Sequence, residues 1–162
     1  MRQELDKLLC EKYPKMMVNR NKNMQETCMC WGFECGDGWY NILNQLMGNI
    51  QHHIDWKEKQ RNWNMEWNKE HPDEPRVIPE PIPQVTLDQV KEKFGTLRFY
   101  YTGGDDTIDG MVRMAEAMSG CTCEECGNPG ERRGGGWVHT YCEPCEELRN
   151  KKREEYENQT SQ

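Results

Sequence analysis

Cys123-Glu124-Glu125-Cys126 and Cys142-Glu143-Pro144-Cys145 are two C-x-x-C pairs with fifteen residues between them. This spacing suits two tight knuckles that close one tetrahedral thiolate site, and it is typical of zinc-binding proteins. Gly127, directly after the first pair, provides the backbone freedom that a knuckle often needs at a positive φ. Four cysteines leave no coordination position for water. The sequence therefore predicts one structural zinc ion, held by Cys123, Cys126, Cys142 and Cys145.

The composition of the chain predicts one domain with a small metal-binding appendage. Of its 162 residues only 35% are apolar and 30% are charged, so the core is thin and a metal clamp would support it. The formal net charge of −7 argues against general binding to nucleic acid, which needs a basic surface. Even residues 121–162 carry six Lys or Arg against nine Asp or Glu.

The sequence also indicates a cellular compartment. Met1-Arg2-Gln3-Glu4-Leu5 is charged and lacks the apolar stretch of a signal peptide, and no apolar run approaches the length of a membrane span. Nine cysteines without an export signal are typical of reduced thiols. We therefore expect a cytoplasmic protein that does not associate with membranes.

A long amphipathic helix is predicted over residues about 38–69. Its apolar positions recur at helical spacing, and Asp37 stands where an N-cap belongs. The second half is charged, and its apolar side chains are Trp56, Trp63 and Trp67 on one face. Such a face favours core packing or self-association over ligand binding, so a homo-oligomer through these tryptophans is a possible arrangement.

The other predicted elements complete an α+β fold. They are a short helix (residues 4–12), a proline-rich linker (71–83), a β-hairpin with its turn near Phe94-Gly95 (85–101), and a second helix capped by an aspartate (107–118). We expect the long helix to pack on the hairpin and the second helix. The predicted division is an α+β domain (residues 1–120), a C-terminal zinc-ribbon-like module with four cysteines (121–148), and a charged tail (149–162).

A second cysteine cluster leaves an alternative open. Cys28, Cys30 and Cys35 lie within eight residues, which suggests a second metal site. A fourth ligand is missing locally, and Cys10, His52 or His53 would have to come from elsewhere in the fold. Free thiols beside aromatic core residues are the favoured interpretation.

Three separated motifs carry a resemblance to a known family. Gly32–Trp39, Gln89–Tyr100, and Gly134–Trp137 with the cysteine pairs resemble, in this order, an uncharacterised family of small zinc-binding proteins of tailed bacteriophages and prophages. The resemblance covers about residues 28–145, and this chain is longer than usual around residues 57–83. It implies a phage accessory protein acting in the cytosol of a bacterial host. The family has no established activity, so no catalytic residue is carried over.

Cations and aromatic side chains near the motifs form a candidate site for a small anionic ligand. Aromatic planes and cations suit a base bearing phosphate, and a glycine-rich backbone can approach phosphate closely. The alternative is that these side chains are solvated hairpin faces and structural aromatics. The candidate ligand-binding residues are Trp39, Lys91, Lys93, Arg98, Tyr100, Arg132, Arg133 and Trp137.

Three functional classes follow from these features. We favour a non-catalytic phage accessory protein that interferes with host defence by binding or sequestering a small anionic, nucleotide-like signal or a host defence protein. One alternative is a zinc-ribbon adaptor for host transcription or replication machinery. An uncharacterised enzyme is the second alternative, which we disfavour because none of the four histidines lies in a recognisable nucleophile context.

Overall fold

The computed structural model describes residues 1–160, which form an α+β fold with four α-helices, as the sequence predicts. The helices are α1 (Gln3–Lys12), α2 (Tyr40–Glu70), α3 (Asp106–Ser119) and α4 (Glu143–Thr160). The strands are β1 (Phe33–Glu34), β2 (Thr86–Lys93), β3 (Thr96–Thr102), β4 (Glu131–Arg133) and β5 (His139–Tyr141). Within the described residues, no helix is both long and apolar enough to span a bilayer.

The larger sheet has the order β1-β2-β3 and is built around the predicted hairpin. β2 and β3 are antiparallel, and their last pair, Lys93 with Thr96, leaves Phe94 and Gly95 as a two-residue turn. β1 is parallel to β2.

One face of the hairpin lies in the core together with residues of α2 and α3. Apolar residues alternate along β3, and a register shift between Leu87 and Gln89 places Val90 on the same face of β2 as Leu87. These buried residues are Leu87, Val90, Leu97 and Phe99.

Helix α3 covers the outer edge of β3. The hydroxyl of Ser119 accepts a 2.8 Å hydrogen bond from the amide of Leu97. The carboxylate of Glu116 accepts a 3.0 Å hydrogen bond from the amide of Phe99. Edge amides that are bonded in this way cannot pair with the strand of another molecule. Asp105 caps the start of α3, since its side chain accepts from the amide of Ile108.

The first half of α2 lies in the core, and its start differs from the prediction. Asp37 is not the N-cap of this helix: it begins a 3₁₀ turn, Asp37–Trp39, and its carboxylate accepts a 2.7 Å hydrogen bond from the amide of Arg2. The N-cap position of α2 is Trp39, whose side chain makes no capping hydrogen bond, so α2 begins at Tyr40 without a side-chain cap. The buried residues of α2 are Ile42, Leu43, Leu46, Met47, Ile50 and Ile54.

The proline-rich stretch runs antiparallel along the second half of α2. Three side chains of α2 donate to its carbonyl oxygens: Arg61 to Pro79, Asn64 to Val77, and Asn68 to Arg76. From Asn68 to Arg61 a helix advances about 10.5 Å, and three extended residues cover about 9.3 Å. These two distances are similar, so the extended segment can run along the helix and accept hydrogen bonds from it at repeated positions.

The predicted division at residues 120 and 148 stays a prediction. Helix α4 begins inside the second cysteine pair and continues through residue 148 into the predicted tail. Residues 161–162 of that tail lie outside the described residues.

Candidate metal centre and the adjoining aromatic tip

The four cysteines of the two C-x-x-C pairs come together. Their sulfur atoms all lie within 4.8 Å of one another, and the Sγ atoms of Cys126 and Cys142 are 3.5 Å apart. Ligands at about 2.3 Å from a tetrahedral ion would be about 3.8 Å apart, so the arrangement suits a metal ion. Among residues 1–160, this is the one group of three or more His, Cys, Asp or Glu side chains arranged in this way.

Local backbone geometry shapes both knuckles. In the first, Gly127 has a φ of +79° and its amide donates to the carbonyl of Cys123 at 2.9 Å. In the second, Cys142 lies directly before α4, and the Cys145 amide hydrogen-bonds its sulfur. This hydrogen bond, with those from neighbouring thiols, lowers the pKa of Cys142 to about 7. The pKa of Cys145 is raised instead, by burial and by hydrogen bonds with the neighbouring thiols, so the protons of the cluster are shared among interacting sulfur atoms.

A short ribbon of β4 and β5 joins the knuckles, and His139 lies in it. His139 is buried, its Nε2 is 2.7 Å from a carboxylate oxygen of Glu146, and its Nδ1 is 3.3 Å from the carbonyl oxygen of Trp137. The side chain therefore connects the loop to α4 and is not a member of the cysteine cluster.

The first knuckle is packed against the Gly32–Trp39 motif. The amide of Gly36 donates to the side chain of Glu124 at 2.8 Å. A Cβ atom on Gly36 would lie 2.3 Å from the carbonyl oxygen of Glu124, and one on Gly38 would lie 2.2 Å from that of Cys123. Both glycines are therefore required by the close approach of two backbones.

Trp39 does not belong to the ligand-binding set. Its side chain is completely buried, and its Nε1 donates to the carbonyl of Thr122 at 2.8 Å. A buried indole offers no face to a ligand, so the sequence-based assignment of Trp39 is wrong. Trp39 instead fixes the four-cysteine module, residues 121–148, to the core through Thr122.

The hairpin turn is the second contact between the module and the core. The hydroxyl of Thr140 donates to the carbonyl oxygen of Gly95. The guanidinium of Arg132 donates to the carbonyl oxygen of Phe94 at 2.8 Å. A Cβ atom on Gly95 would lie 3.2 Å from both His139 and Val138. The three motifs that are separated in the sequence therefore meet around the cysteine cluster.

An aromatic tip lies where the hairpin turn meets the glycine-rich loop; we define it as Lys93, Phe94, Arg132 and Trp137. The side chains of Phe94 and Trp137 are 63% and 73% exposed. The ammonium of Lys93 is 5.4 Å from the centre of the Phe94 ring. A cavity of about 340 Å³ is lined here by Glu92, Lys93, Phe94, Gly136, Trp137 and Val138.

The other candidate residues lie apart from this cavity. Lys91 and Tyr100 lie together on the exposed face of the hairpin, with the ammonium 5.7 Å from the ring centre. Arg98 leans toward the turn, since its guanidinium donates to the hydroxyl of Thr96 at 2.7 Å. Arg133 pairs with Glu143 at 2.9 Å.

Sequence reasoning missed Phe94 as a site residue. Its backbone φ is +56°, and no other non-glycine residue of the described chain has a positive φ. The available signal was a bulky aromatic residue before Gly95, where a two-residue hairpin turn prefers asparagine or aspartate.

The thiols of the second cysteine cluster, Cys28, Cys30 and Cys35, lie in different environments. Cys28 is exposed, Cys35 is buried, and the thiol of Cys30 donates to the carbonyl of Thr27 at 3.2 Å. Burial raises the pKa of Cys35 to about 12, with smaller contributions from nearby charges. A thiol with so high a pKa stays protonated at neutral pH.

Comparison with known proteins does not place the chain in a family. No protein-family model matches it, and neither the curated proteins nor the solved structures compared with it include a match. Its function is therefore inferred from the geometry of its own residues.

Proposed function

We propose that this protein is a non-catalytic binding protein with one structural zinc ion, and that its ligand binds at the aromatic tip beside the metal. Zinc suits Cys123, Cys126, Cys142 and Cys145 because tetrahedral four-thiolate sites are typical of it. Such a site is closed to water and substrate. Its role would be to hold the module in place against the Gly32–Trp39 motif and the hairpin turn.

The observation that carries the proposal is the backbone of Phe94. A positive φ costs a bulky residue about 1–3 kcal/mol. The ring of Phe94 gains little packing in return, since it is 63% exposed. Residues that break a local rule without a structural benefit are expected at functional sites. The benefit that we infer is an aromatic ring displayed opposite Trp137.

The chemistry of the tip favours a small anionic ligand with a flat ring. Phe94 and Trp137 offer two aromatic faces, and Lys93 and Arg132 offer positive charge for phosphate. The volume of about 340 Å³ falls in the usual range for small-molecule sites, about 300–1,000 Å³. A nucleotide-like compound combines these features.

The carboxylate of Glu92 is the acidic group in the cavity lining. It accepts a hydrogen bond from the amide of Gly95 at 2.6 Å, so part of its charge is already compensated. This contact supports the turn and reduces the repulsion that an anionic ligand would meet.

The biological setting comes from the resemblance to phage zinc-binding proteins. A phage accessory protein in the bacterial cytosol would interfere with host defence, either by sequestering a nucleotide signal or by binding a host defence protein through the same tip. Both versions need the exposed rings and no catalytic group.

The test is to purify the protein from bacterial cells and identify bound small molecules by mass spectrometry, then to titrate the recovered nucleotide by calorimetry. Trp137→Ala should abolish binding, with little loss of stability because the residue is exposed. Tyr100→Ala, on the other part of the hairpin, is the matched control. A host protein that co-purifies with wild type and not with Trp137→Ala would support the protein-binding version. Unchanged binding in Trp137→Ala and Phe94→Asn would overturn the proposal.

A further inference from the structure

The second half of α2 carries a cleft between two exposed tryptophans. Trp67 is covered: the guanidinium of Arg76 lies 3.7 Å from its ring centre, and the ring of His71 stacks on it at 3.8 Å. Trp56 and Trp63 remain 53% and 63% exposed. Between them is a cleft of about 390 Å³, lined by Trp56, Lys59, Gln60, Trp63, Asn64 and Arg76.

The cleft has an excess of positive charge. Lys59 and Arg76 line it, and within residues 1–160 neither makes a salt bridge with a carboxylate. On the same helix, the carboxylate of Glu66 is bound to Lys69 at 2.6 Å and that of Asp55 is bound to Lys15 at 3.1 Å. The surface therefore suits an occupant with acidic groups and apolar rings.

The chain itself contains a segment with the complementary chemistry. Pro72-Asp73-Glu74-Pro75 follows the end of α2, and all four residues are exposed. Within the described residues, neither Asp73 nor Glu74 is paired with a cation. The acidic segment directly follows the C-terminal end of α2, and the basic cleft lies nearer the middle of the same helix.

The acidic segment forms a turn directly after α2. Pro72 and Asp73 are turn residues, Glu74 is a bend, and the amide of Glu74 donates to the carbonyl oxygen of His71 at 3.2 Å. Its two carboxylates are therefore presented on a compact, exposed turn. Their charge is complementary to that of Lys59 and Arg76 in the cleft.

The acidic turn is held beside Trp67 of its own chain. Side chains of α2 donate to successive carbonyl oxygens of the extended segment, and the indole of Trp67 donates to the carbonyl oxygen of Glu74 at 3.3 Å. That contact holds the acidic segment beside Trp67, about 10.5 Å along the helix axis from Gln60. The segment therefore does not fill the cleft of its own chain.

We propose that Pro72–Pro75 of a second copy of this chain occupies the cleft between Trp56 and Trp63. Two α2 helices that cross antiparallel about a two-fold axis near residue 65 bring each acidic turn to the cleft of its partner. A two-fold interface of this kind uses the same patch on both copies, so each dimer contains two such contacts. The prolines pack on the indoles, and Asp73 and Glu74 face Lys59 and Arg76.

The test is sedimentation equilibrium of the full chain over a range of concentrations. Wild type should form a dimer, and Trp63→Ala should raise the dissociation constant by about 30-fold or more, as expected for a central interface tryptophan. Trp31→Ala is the matched control, because Trp31 is also exposed, at 61%, and lies outside α2. A monomeric wild type, or a dimer that Trp63→Ala leaves unchanged, would overturn the proposal.

A charge exchange makes the test specific for this pairing. Lys59→Glu and the double variant Asp73→Lys/Glu74→Lys should each dimerise weakly, because the first removes the net positive charge of the cleft and the second gives cleft and turn the same positive sign. A mixture of the two should recover the dimer, since the unchanged cleft then meets the unchanged acidic turn, and the glutamate introduced at position 59 of the other cleft meets the lysines of the changed turn. If the mixture stays monomeric while wild type dimerises, this pairing is wrong. This result is independent of nucleotide binding at the aromatic tip.

Discussion

The amide of Gly38 donates a 2.7 Å hydrogen bond to the carbonyl oxygen of Glu124, and this contact joins the turn before the long helix to the first metal knuckle. Gly36 bonds the side chain of the same glutamate. The four-cysteine module is therefore joined to the core by the backbone amides of Gly36 and Gly38. A change at either side of this contact should affect both metal binding and folding.

We predict that Gly38→Ala destabilises the protein by about 1–3 kcal/mol, the usual cost of overpacking a tight contact. The added Cβ would lie 2.2 Å from a backbone oxygen, which cannot move aside as a side chain can. Urea unfolding measures the loss. Gly110→Ala is the control: it lies in α3 with nothing within 4 Å of its new Cβ, so it should stabilise by about 0.5–1 kcal/mol. Equal stability of the two variants would contradict the close approach.

Metal analysis should give about one zinc ion per chain, bound by the four thiolates. Cys126→Ser should lose the ion, because its sulfur belongs to the cluster, and should also lower the midpoint of thermal unfolding. Cys121→Ser is the matched control, since this exposed thiol lies outside the cluster and its loss should leave the metal content unchanged. A value near two ions per chain would assign a second metal to Cys28, Cys30 and Cys35.

Phe94→Asn should separate stability from binding. Asparagine tolerates the left-handed backbone that phenylalanine adopts at a cost, so the variant should be more stable by about 1 kcal/mol. It should also lose affinity for the ligand, because the exposed ring is gone. Chemical denaturation and calorimetric titration measure the two effects. A variant that is less stable would show that the ring supports the fold, which would remove the main argument for a site at the tip.

The contact between the Nε2 atom of His53 and the carboxylate of Asp105, 2.9 Å long, predicts a pH dependence of stability. Burial tends to raise the pKa of Asp105, but hydrogen bonds from His53 and the Ile108 amide outweigh it and hold the pKa below the ordinary value of 3.8. A carboxyl group with a lowered pKa stabilises the fold above 3.8, and this contribution disappears as the pH falls through the folded pKa.

Asp105→Asn tests this dependence, because asparagine keeps the cap on α3 and removes the charge. The difference in unfolding free energy between wild type and variant should be fully present above pH 3.8 and should shrink as the pH falls below this value. Taking the difference at each pH removes the effect of metal release, which both proteins share. Curves that stay parallel throughout would show that the pair does not contribute.

The sequence by itself determined the α+β fold, the hairpin turn at Phe94-Gly95 and the membership of the four-cysteine cluster. These features depend on short-range patterns: helical and alternating periodicity, and two cysteine pairs whose spacing suits one ion. They can be read from residues that are near one another in the chain.

Only the tertiary structure decided which residues form surfaces. Trp39 and Trp137 are the same residue type, but Trp39 is buried under the first knuckle and Trp137 is exposed at the tip. Likewise, Gly36 and Gly38 acquire their role from Cys123 and Glu124, which follow more than 80 residues later. Burial and close approach depend on contacts between distant segments, and the local periodicity of a sequence carries no information about such contacts.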